Sequence, residues 1–204
     1  MTAQRTRHTG YGIWLIIASL AGWWAAFQLT LDKFATLQNP DATLSCNISV
    51  FLSCGANLES WQGSAFGFPN PIIGITGWMA VLVMGVAVLA GVRFPRWFWG
   101  LFGLGILFSF VFIAWLIGQS FFDLHTLCPW CGVTYLAVVP TSLATLVELG
   151  RNGTLSRRRS VQHAFGRLMA WVPLASIVAF AVIVVLAQIA GVDLLGEVSR
   201  MLFG

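Results

Sequence analysis

The chain has 204 residues, of which 58% are hydrophobic and only 9% are charged, with a net charge of +4 and a mean hydropathy of +0.83. An average soluble domain is about 25% charged, so this composition excludes a cytosolic enzyme, a disordered tail and a nucleic-acid-binding module. The net positive charge does not indicate DNA binding, because the few arginines lie between apolar segments. We therefore predict an all-α integral membrane protein that forms one compact helical bundle.

Five apolar stretches are long enough for a membrane-spanning helix, which needs about 20 residues. They are Tyr11–Leu31, Ile72–Val92, Trp97–Gly118, Leu127–Leu149 and Leu168–Ile189. The first stretch is too long for a signal peptide, and no A-x-A-like cleavage site follows it, so we expect a retained helix. The predicted organisation is a four-helix domain over 1–150 with an outer loop at 32–71, a basic linker at 151–167, and a fifth helix with a short outer tail at 168–204.

The cations indicate how the spans are oriented. If the spans alternate, nine of the eleven cations fall on one side of the membrane. They are Arg5, Arg7, Arg93, Arg96, Arg151, Arg157, Arg158, Arg159 and Arg167. By the positive-inside rule this side is cytoplasmic. The N-terminus is then cytoplasmic, and all four cysteines lie on the extracytoplasmic, oxidising side, where disulfides form and persist.

The sequence Cys128-Pro129-Trp130-Cys131 is a C-x-x-C motif at the start of the fourth span. Residues three apart share a helical face, and the unpaired N–H groups of a first helical turn favour a thiolate. This pattern indicates a redox-active dithiol. The alternatives are a structural disulfide or a zinc site made by all four cysteines. We expect no metal, because an oxidising compartment does not keep four thiols free.

Cys46 and Cys54 are separated by seven intervening residues in the first outer loop. Loops of this length in compact proteins are usually functional or partly structured. Ser53 is a candidate cap for a short amphipathic helix that runs to about Trp61 and lies on the membrane surface as a lid. The simpler interpretation is a disulfide that staples the loop. Together, the two cysteine pairs indicate a relay by thiol–disulfide exchange to a two-electron acceptor in the membrane, for which a lipid quinone is suited.

The combined pattern resembles the vitamin K epoxide reductase family over about residues 10–150. The matching features are C-x7-C in the first outer loop, a serine six residues on, Phe-Gly, C-x-x-C, and a tyrosine four residues beyond it. In this chain they are Cys46, Cys54, Ser60, Phe66, Gly67, Cys128, Cys131 and Tyr135, and the segment from Phe66 to Pro71 is similar to that of bacterial members. The resemblance implies a four-helix catalytic bundle, here with a fifth transmembrane helix.

The resemblance also implies a role for each cysteine. Cys46 is similar to the cysteine that exchanges with a thioredoxin-like partner, and Cys54 to the shuttle cysteine that forms an interloop disulfide with Cys128. Cys131 is similar to the cysteine beside the quinone, whose thiolate donates to the ring.

Four further residues match cofactor-binding positions of the family. Asn70, placed by its Asn-x-x-x-Gly spacing to Gly74, and Tyr135 match residues that hydrogen-bond quinone carbonyls. Phe66 matches an aromatic residue of the pocket wall, and Ser60 a serine of the lid helix. The simpler interpretations are a turn residue for Asn70, helix packing for Tyr135 and a polar turn for Ser60.

Other side chains near the C-x-x-C motif are weaker candidates. Trp130, Phe121 and Phe122 are possible additional walls of the pocket, and Asp123 and His125 are possible proton relays, although both fit a solvated loop equally well.

The sequence thus predicts a quinone-dependent thiol oxidoreductase of the bacterial inner membrane that supports disulfide bond formation. It would oxidise a separate extracytoplasmic, DsbA-like thioredoxin-fold protein and reduce menaquinone or ubiquinone. The partner is expected to be separate because the chain ends about fifteen residues after the fifth helix without a further cysteine. The DsbB family performs this reaction with its cysteine pairs in the opposite order. The remaining alternatives are a salvage reductase for quinone or vitamin K epoxide and a non-catalytic, disulfide-stapled membrane scaffold.

Overall fold

The computed structural model describes residues 2–39, 44, 46, 53–192, 196 and 199, with side chains described from Thr9 onward. Within this part of the chain there are seven α-helices and two short 3-10 helices. The α-helices are α1 (Thr2–Gln38), α2 (Gly55–Glu59), α3 (Asn70–Leu89), α4 (Arg96–Phe122), α5 (Pro129–Arg151), α6 (Arg159–Leu168) and α7 (Val172–Ile189). The 3-10 helices cover Trp61–Ser64 and Met169–Trp171. The prediction of an all-α fold is confirmed.

Five helical segments are long and apolar enough to cross a membrane, as predicted. They are Thr9–Gln38, Asn70–Leu89, Arg96–Phe122, Pro129–Arg151 and Arg159–Ile189. Many large apolar side chains on α4 and most of those on α7 are exposed, which is the pattern of helices whose outer faces contact lipid. The chain is therefore a multi-pass membrane protein.

Close approach of small residues packs α1 against α3. A Cβ atom added to Gly12 would lie 2.9 Å from the side chain of Leu89 and 3.2 Å from the carbonyl oxygen of Gly85. Polar pairs join α1 to α5, since the Tyr11 hydroxyl lies 2.8 Å from Thr145 Oγ1 and Trp14 Nε1 donates to Thr141 Oγ1 at 3.1 Å. Small residues and buried hydrogen bonds are the usual means of helix association in membranes.

Two segments differ from their predicted form. The helix α1 continues past Leu31 to Gln38, so Asp32 and Lys33 lie on this helix and not in the outer loop. The predicted linker at 151–167 includes the helix α6, in which the basic residues Arg159, His163 and Arg167 are spaced four apart. Phe165 of this helix packs against Gly150. The predicted tail after α7 lies mostly outside the described residues.

The lid forms at the end of the bundle where α1 and α4 end and where α3 and α5 begin. It consists of α2 followed by the 3-10 helix Trp61–Ser64. Cys54, and not Ser53, occupies the N-cap position of α2. Ser60 ends α2, and its side chain accepts a hydrogen bond from the Gly63 N–H to cap the 3-10 helix. The lid is thus two short turns instead of one helix running to Trp61.

Candidate functional site

Three cysteine sulfurs lie buried together beneath the lid. Cys46 and Cys54 form a disulfide with their Cα atoms 5.7 Å apart. The exposed fractions are 4% for Cys46, 0% for Cys54 and 1% for Cys128. Leu29 of α1, Leu44 of the outer loop and Leu58 of α2 belong to the same apolar cluster. The sulfurs are therefore shielded from bulk water.

The two cysteine pairs meet through Cys54 and Cys128. Cys128 Sγ lies 3.1 Å from Cys54 Sγ, and neither Cys128 nor Cys131 is in a disulfide. Cys128 is the N-cap of α5, Pro129 stands in the first turn as predicted, and the Cys131 N–H points at Cys128 Sγ over 3.4 Å. A third sulfur held against a disulfide is the arrangement that thiol–disulfide exchange requires.

The start of α5 favours the thiolate form of Cys128. A hydrogen bond from the Cys131 side chain, followed by bonds from the backbone N–H groups of Cys131 and Trp130, lowers the pKa of the Cys128 thiol. Burial and the charge of Asp32 act in the opposite direction. The net effect makes Cys128 a better leaving group than an ordinary thiol.

A carboxylate lies against the disulfide. Asp32 Oδ2 of α1 is 3.3 Å from Cys46 Sγ, and a carboxylate oxygen of Asp32 and the sulfurs of Cys46 and Cys54 all lie within 4.8 Å of one another. Such a cluster is a possible metal site only when both thiolates are free. Because the two sulfurs are joined in a disulfide, the arrangement in this state is a contact between a carboxylate and a disulfide.

The neighbouring Lys33 anchors the lid. Its Nζ donates a hydrogen bond of 2.7 Å to the carbonyl oxygen of Leu58 in α2. The extension of α1 beyond the predicted boundary is thereby explained, because Lys33 finds a partner in the lid and Asp32 lies against Cys46 of the outer loop.

A cavity of about 410 Å³ lies below the lid between α3, α4 and α5. Its size is in the usual range for a small-molecule site. Cys131 lines it, whereas the sulfurs of Cys46, Cys54 and Cys128 lie in the cluster beside it. Apolar lining residues include Leu58, Ile73, Trp78, Ile106, Phe108 and Phe112, and polar ones include Asn57, Gln62, Gln119, Ser120, Thr134 and Ser142.

The two predicted hydrogen-bonding residues, Asn70 and Tyr135, both line this cavity. Asn70 Nδ2 donates to the Gln62 carbonyl oxygen at 2.6 Å, and Asn70 Oδ1 accepts from the Ala65 N–H at 3.2 Å. One amide hydrogen of Asn70 therefore holds the lid. The buried Tyr135 hydroxyl lies within hydrogen-bonding reach of Ser120.

The predicted residues Phe66 and Ser60 do not line the cavity. Phe66 is 49% exposed, and its ring centroid lies 6.3 Å from that of Phe108 and 5.4 Å from that of Phe112, so it backs the wall that those two residues form. The Ser60 hydroxyl donates to the Asn57 carbonyl oxygen at 2.8 Å, which shapes the lid.

The three other aromatic candidates also lie away from the cavity. Phe121 is fully buried in the helical core, Phe122 is exposed, and Trp130 packs beside the cysteine cluster.

Sequence reasoning missed the polar residues that tie the lid to α4. Gln62 Nε2 donates to Gln119 Oε1 at 3.2 Å and to Asp123 Oδ2 at 2.5 Å. The Ser120 hydroxyl donates to Asn57 Oδ1 at 2.9 Å. The available signal was the pair of polar residues, Gln119 and Ser120, directly after the predicted apolar span Trp97–Gly118.

The two candidate proton relays have different positions. Asp123 is the C-cap of α4 and accepts the bond from Gln62. His125 is exposed and has a left-handed backbone with φ of 51°, and its ring faces the Asp123 carbonyl oxygen at 3.3 Å.

Comparison with known proteins gives one family. Residues 13–146 match the model of the Vitamin K epoxide reductase family. No curated protein and no solved structure matches the chain. The matched range contains α2 to α4, most of α1 and α5, and all four cysteines.

Proposed function

The chain belongs to the vitamin K epoxide reductase family and is a membrane oxidoreductase, and we propose that it oxidises the dithiol of a separate thioredoxin-fold protein and reduces a membrane quinone. The observation that carries this proposal is the distance of 3.1 Å between Cys128 Sγ and the disulfide sulfur of Cys54. Two structural disulfides in a scaffold would give no reason to hold a third, unbonded sulfur at this position.

We propose that electrons enter at Cys46. A partner thiolate attacks Cys46 Sγ, the Cys46–Cys54 bond breaks, and Cys54 then attacks Cys128 in a Cys128–Cys131 disulfide. The second partner thiol releases the oxidised partner and frees Cys46, which attacks Cys54 and expels Cys128. This last step produces the arrangement seen here, with Cys46 and Cys54 joined and Cys128 beside them. Because Cys46 is only 4% exposed, the partner must displace part of its cover.

The cavity fits a quinone ring beside Cys131. Its walls are mostly apolar, and Asn70 and Tyr135 are among the residues that line it. The amide of Asn70 and the hydroxyl of Tyr135 are groups that can donate a hydrogen bond to a quinone carbonyl oxygen. A bound quinone would accept two electrons and two protons, which matches the oxidation of one dithiol. Asn70 and Tyr135 would orient the ring, while Cys131 would face it. Whether the quinone is menaquinone or ubiquinone depends on the host membrane.

The opening of the cavity between α3 and α4 suits the tail of a lipid quinone. Gly77 on α3 and Gly105 on α4 both line the cavity and are both exposed. A Cβ added to either would meet no heavy atom within 4 Å. This open strip would let an isoprenoid chain leave the site sideways into lipid.

We further propose that the lid end of the bundle is extracytoplasmic in a bacterial inner membrane. Arg93 and Arg96 lie at the opposite end, between α3 and α4, and the arginine-rich α6 follows α5 there. An excess of arginine marks the cytoplasmic side.

The test is quinone-dependent oxidation of a purified, reduced thioredoxin-fold protein by the detergent-solubilised chain. We expect turnover with the native chain and none with Cys46→Ala, Cys54→Ala, Cys128→Ala or Cys131→Ala. Each variant should keep its helical content by circular dichroism. Native levels of oxidation by Cys131→Ala would refute the proposal, as would a native chain that consumes no quinone. Turnover of a vitamin K epoxide without oxidation of the protein dithiol would indicate the salvage reductase instead.

A further inference from the structure

The carboxylate beside the entry cysteine has no role in the electron path described above. Asp32 Oδ2 lies 3.3 Å from Cys46 Sγ. Asp32 is partly exposed, whereas Cys46, Cys54 and Cys128 are at most 4% exposed. The carboxylate therefore connects a dry cluster of sulfurs to water.

We propose that Asp32 is a catalytic residue that accepts the proton of Cys46 when this thiol attacks, and returns it when Cys46 leaves. The inference rests on the proposed function, because it assigns a role in the exchange between the two cysteine pairs. The proton transfer involves Cys46 and Asp32 of this chain and requires no bound metal or quinone.

The Cys46 thiol attacks Cys54 of the Cys54–Cys128 disulfide, so that the Cys46–Cys54 bond forms and the Cys54–Cys128 bond breaks. Cys128 leaves as a thiolate, which α5 stabilises. The proton of Cys46 passes to the Asp32 carboxylate and from there to solvent. Cys46 is oxidised and Cys128 is reduced, with no other reactant.

The groups around Asp32 support this assignment. Among the residues that the structure describes, the titratable side chains that face it from the packed elements are Cys46, Cys54 and Cys128. Lys33, the adjacent cation on the same helix, donates to the Leu58 carbonyl oxygen. A thiol of Cys46 would point its hydrogen at Asp32 Oδ2 with little movement, because the two atoms are already in contact.

A simpler role for Asp32 predicts the opposite kinetics. A carboxylate that acts only as a fixed negative charge would repel the thiolate of Cys46 and slow exchange. Removing its charge would then accelerate exchange at every pH. Removing a proton acceptor and donor would slow exchange, and only at pH values where thiols are protonated.

The experiment measures attack of the reduced Cys46 thiol on oxidised glutathione in the full chain carrying Cys54→Ala, Cys128→Ala and Cys131→Ala, so that Cys46 is the one cysteine that can react. The rate is followed from pH 6 to pH 10 by a maleimide gel shift of the remaining free thiol and divided by the concentration of oxidised glutathione. Asp32→Asn and Asp32→Glu are compared with the matched control Glu59→Gln, which removes an exposed carboxylate on the lid. Neither a quinone nor a partner protein is needed, so the proposed function can fail while this test still reports on Asp32.

We expect Asp32→Asn to be slower by about a hundredfold near pH 6.5, at the low end of the range for a positioned acid–base group. The difference should vanish above about pH 9, where thiols ionise without help. Asp32→Glu should recover part of the rate, and Glu59→Gln should match the parent. A rate equal to or above the parent at all pH values, or a defect of constant size, would overturn the proposal. If the triple variant does not fold, the pH profile of quinone-linked turnover with all four cysteines gives the same comparison.

Discussion

Cys128 Sγ stands 3.1 Å from Cys54 Sγ although the two residues are 74 positions apart in the chain. Cys54 is at the same time bonded to Cys46. The sulfur of Cys54 thus has two possible bonding partners, Cys46 in the outer loop and Cys128 at the start of α5. This arrangement lets a small movement of Cys54 exchange one bond for the other.

The N-terminus of α5 should make the charge of Cys128 depend on residue 131. In a chain with Cys46→Ser and Cys54→Ser, we compare Cys131→Ser, which keeps a hydroxyl donor, with Cys131→Ala, which does not. Because the side chain of Cys131 contributes most to the lowered pKa of Cys128, the alanine variant should have the higher pKa. A lowered pKa means that the thiolate persists as the pH falls and is lost at a lower pH, so titration of thiolate absorbance at 240 nm gives the order. Equal midpoints would show that the donor at position 131 is unimportant.

The side chain of Asn70 should hold the lid through both of its bonds. Asn70→Ala removes the acceptor for the Ala65 N–H and the donor to the Gln62 carbonyl oxygen, at a cost of about 1 kcal/mol for each bond. Asn70→Asp keeps the acceptor for Ala65. Hydrogen exchange should therefore show faster exchange of the Ala65 amide in the alanine variant and near-native protection in the aspartate variant. Native protection in both would mean that the lid is held by other contacts.

Filling the strip between α3 and α4 should hinder a long quinone tail. Gly105→Leu places a side chain at the cavity in otherwise open space, so the fold should be kept. We expect KM to rise by about tenfold for a long-tailed quinone, equivalent to about 1.4 kcal/mol, and much less for a tailless analogue. The control is Gly100→Leu, since Gly100 on the same helix also has no heavy atom near an added Cβ. An equal change in KM for both quinones would contradict a lateral opening.

The orientation of the bundle is testable by labelling. In a chain without its four cysteines, Ala65→Cys places a thiol on the lid and Ser160→Cys places one on α6, and both positions are exposed. An impermeant maleimide added to intact cells should label the first and should label the second only after permeabilisation. The reverse pattern would put the sulfurs on the reducing side and exclude the proposed partner.

The spans and the cysteine motifs were predictable because they depend on local features. An apolar run of sufficient length has to form a helix in lipid, and the C-x-x-C motif precedes such a run. The end of α1 was not predictable, because Asp32 and Lys33 remain on the helix through contacts with Cys46 and Leu58, which lie 14 and 25 residues away.

The polar residues that line the cavity also depend on contacts between residues distant in the sequence. Asn57 and Gln62 have no distinctive sequence context, and only the folding of the lid onto the end of α4 brings them to Ser120 and Gln119. Phe66 and Ser60 were predicted from the family resemblance, yet Phe66 packs behind the cavity wall and Ser60 lies within the lid. A motif identifies which residues belong near a site, but the packing of helices decides which of them face it.

The most direct test of the account is whether Cys54 and Cys128 can bond. In the full chain with Cys46→Ser and Cys131→Ser, mild oxidation should join the two remaining cysteines in one disulfide, detected by mass spectrometry of unreduced peptides. The matched control, Cys46→Ser with Cys128→Ser, leaves Cys54 and Cys131 and should form this bond far more slowly, because Cys131 lines the cavity and not the lid contact. Failure of Cys54 and Cys128 to join in a folded chain would contradict a relay between the two pairs.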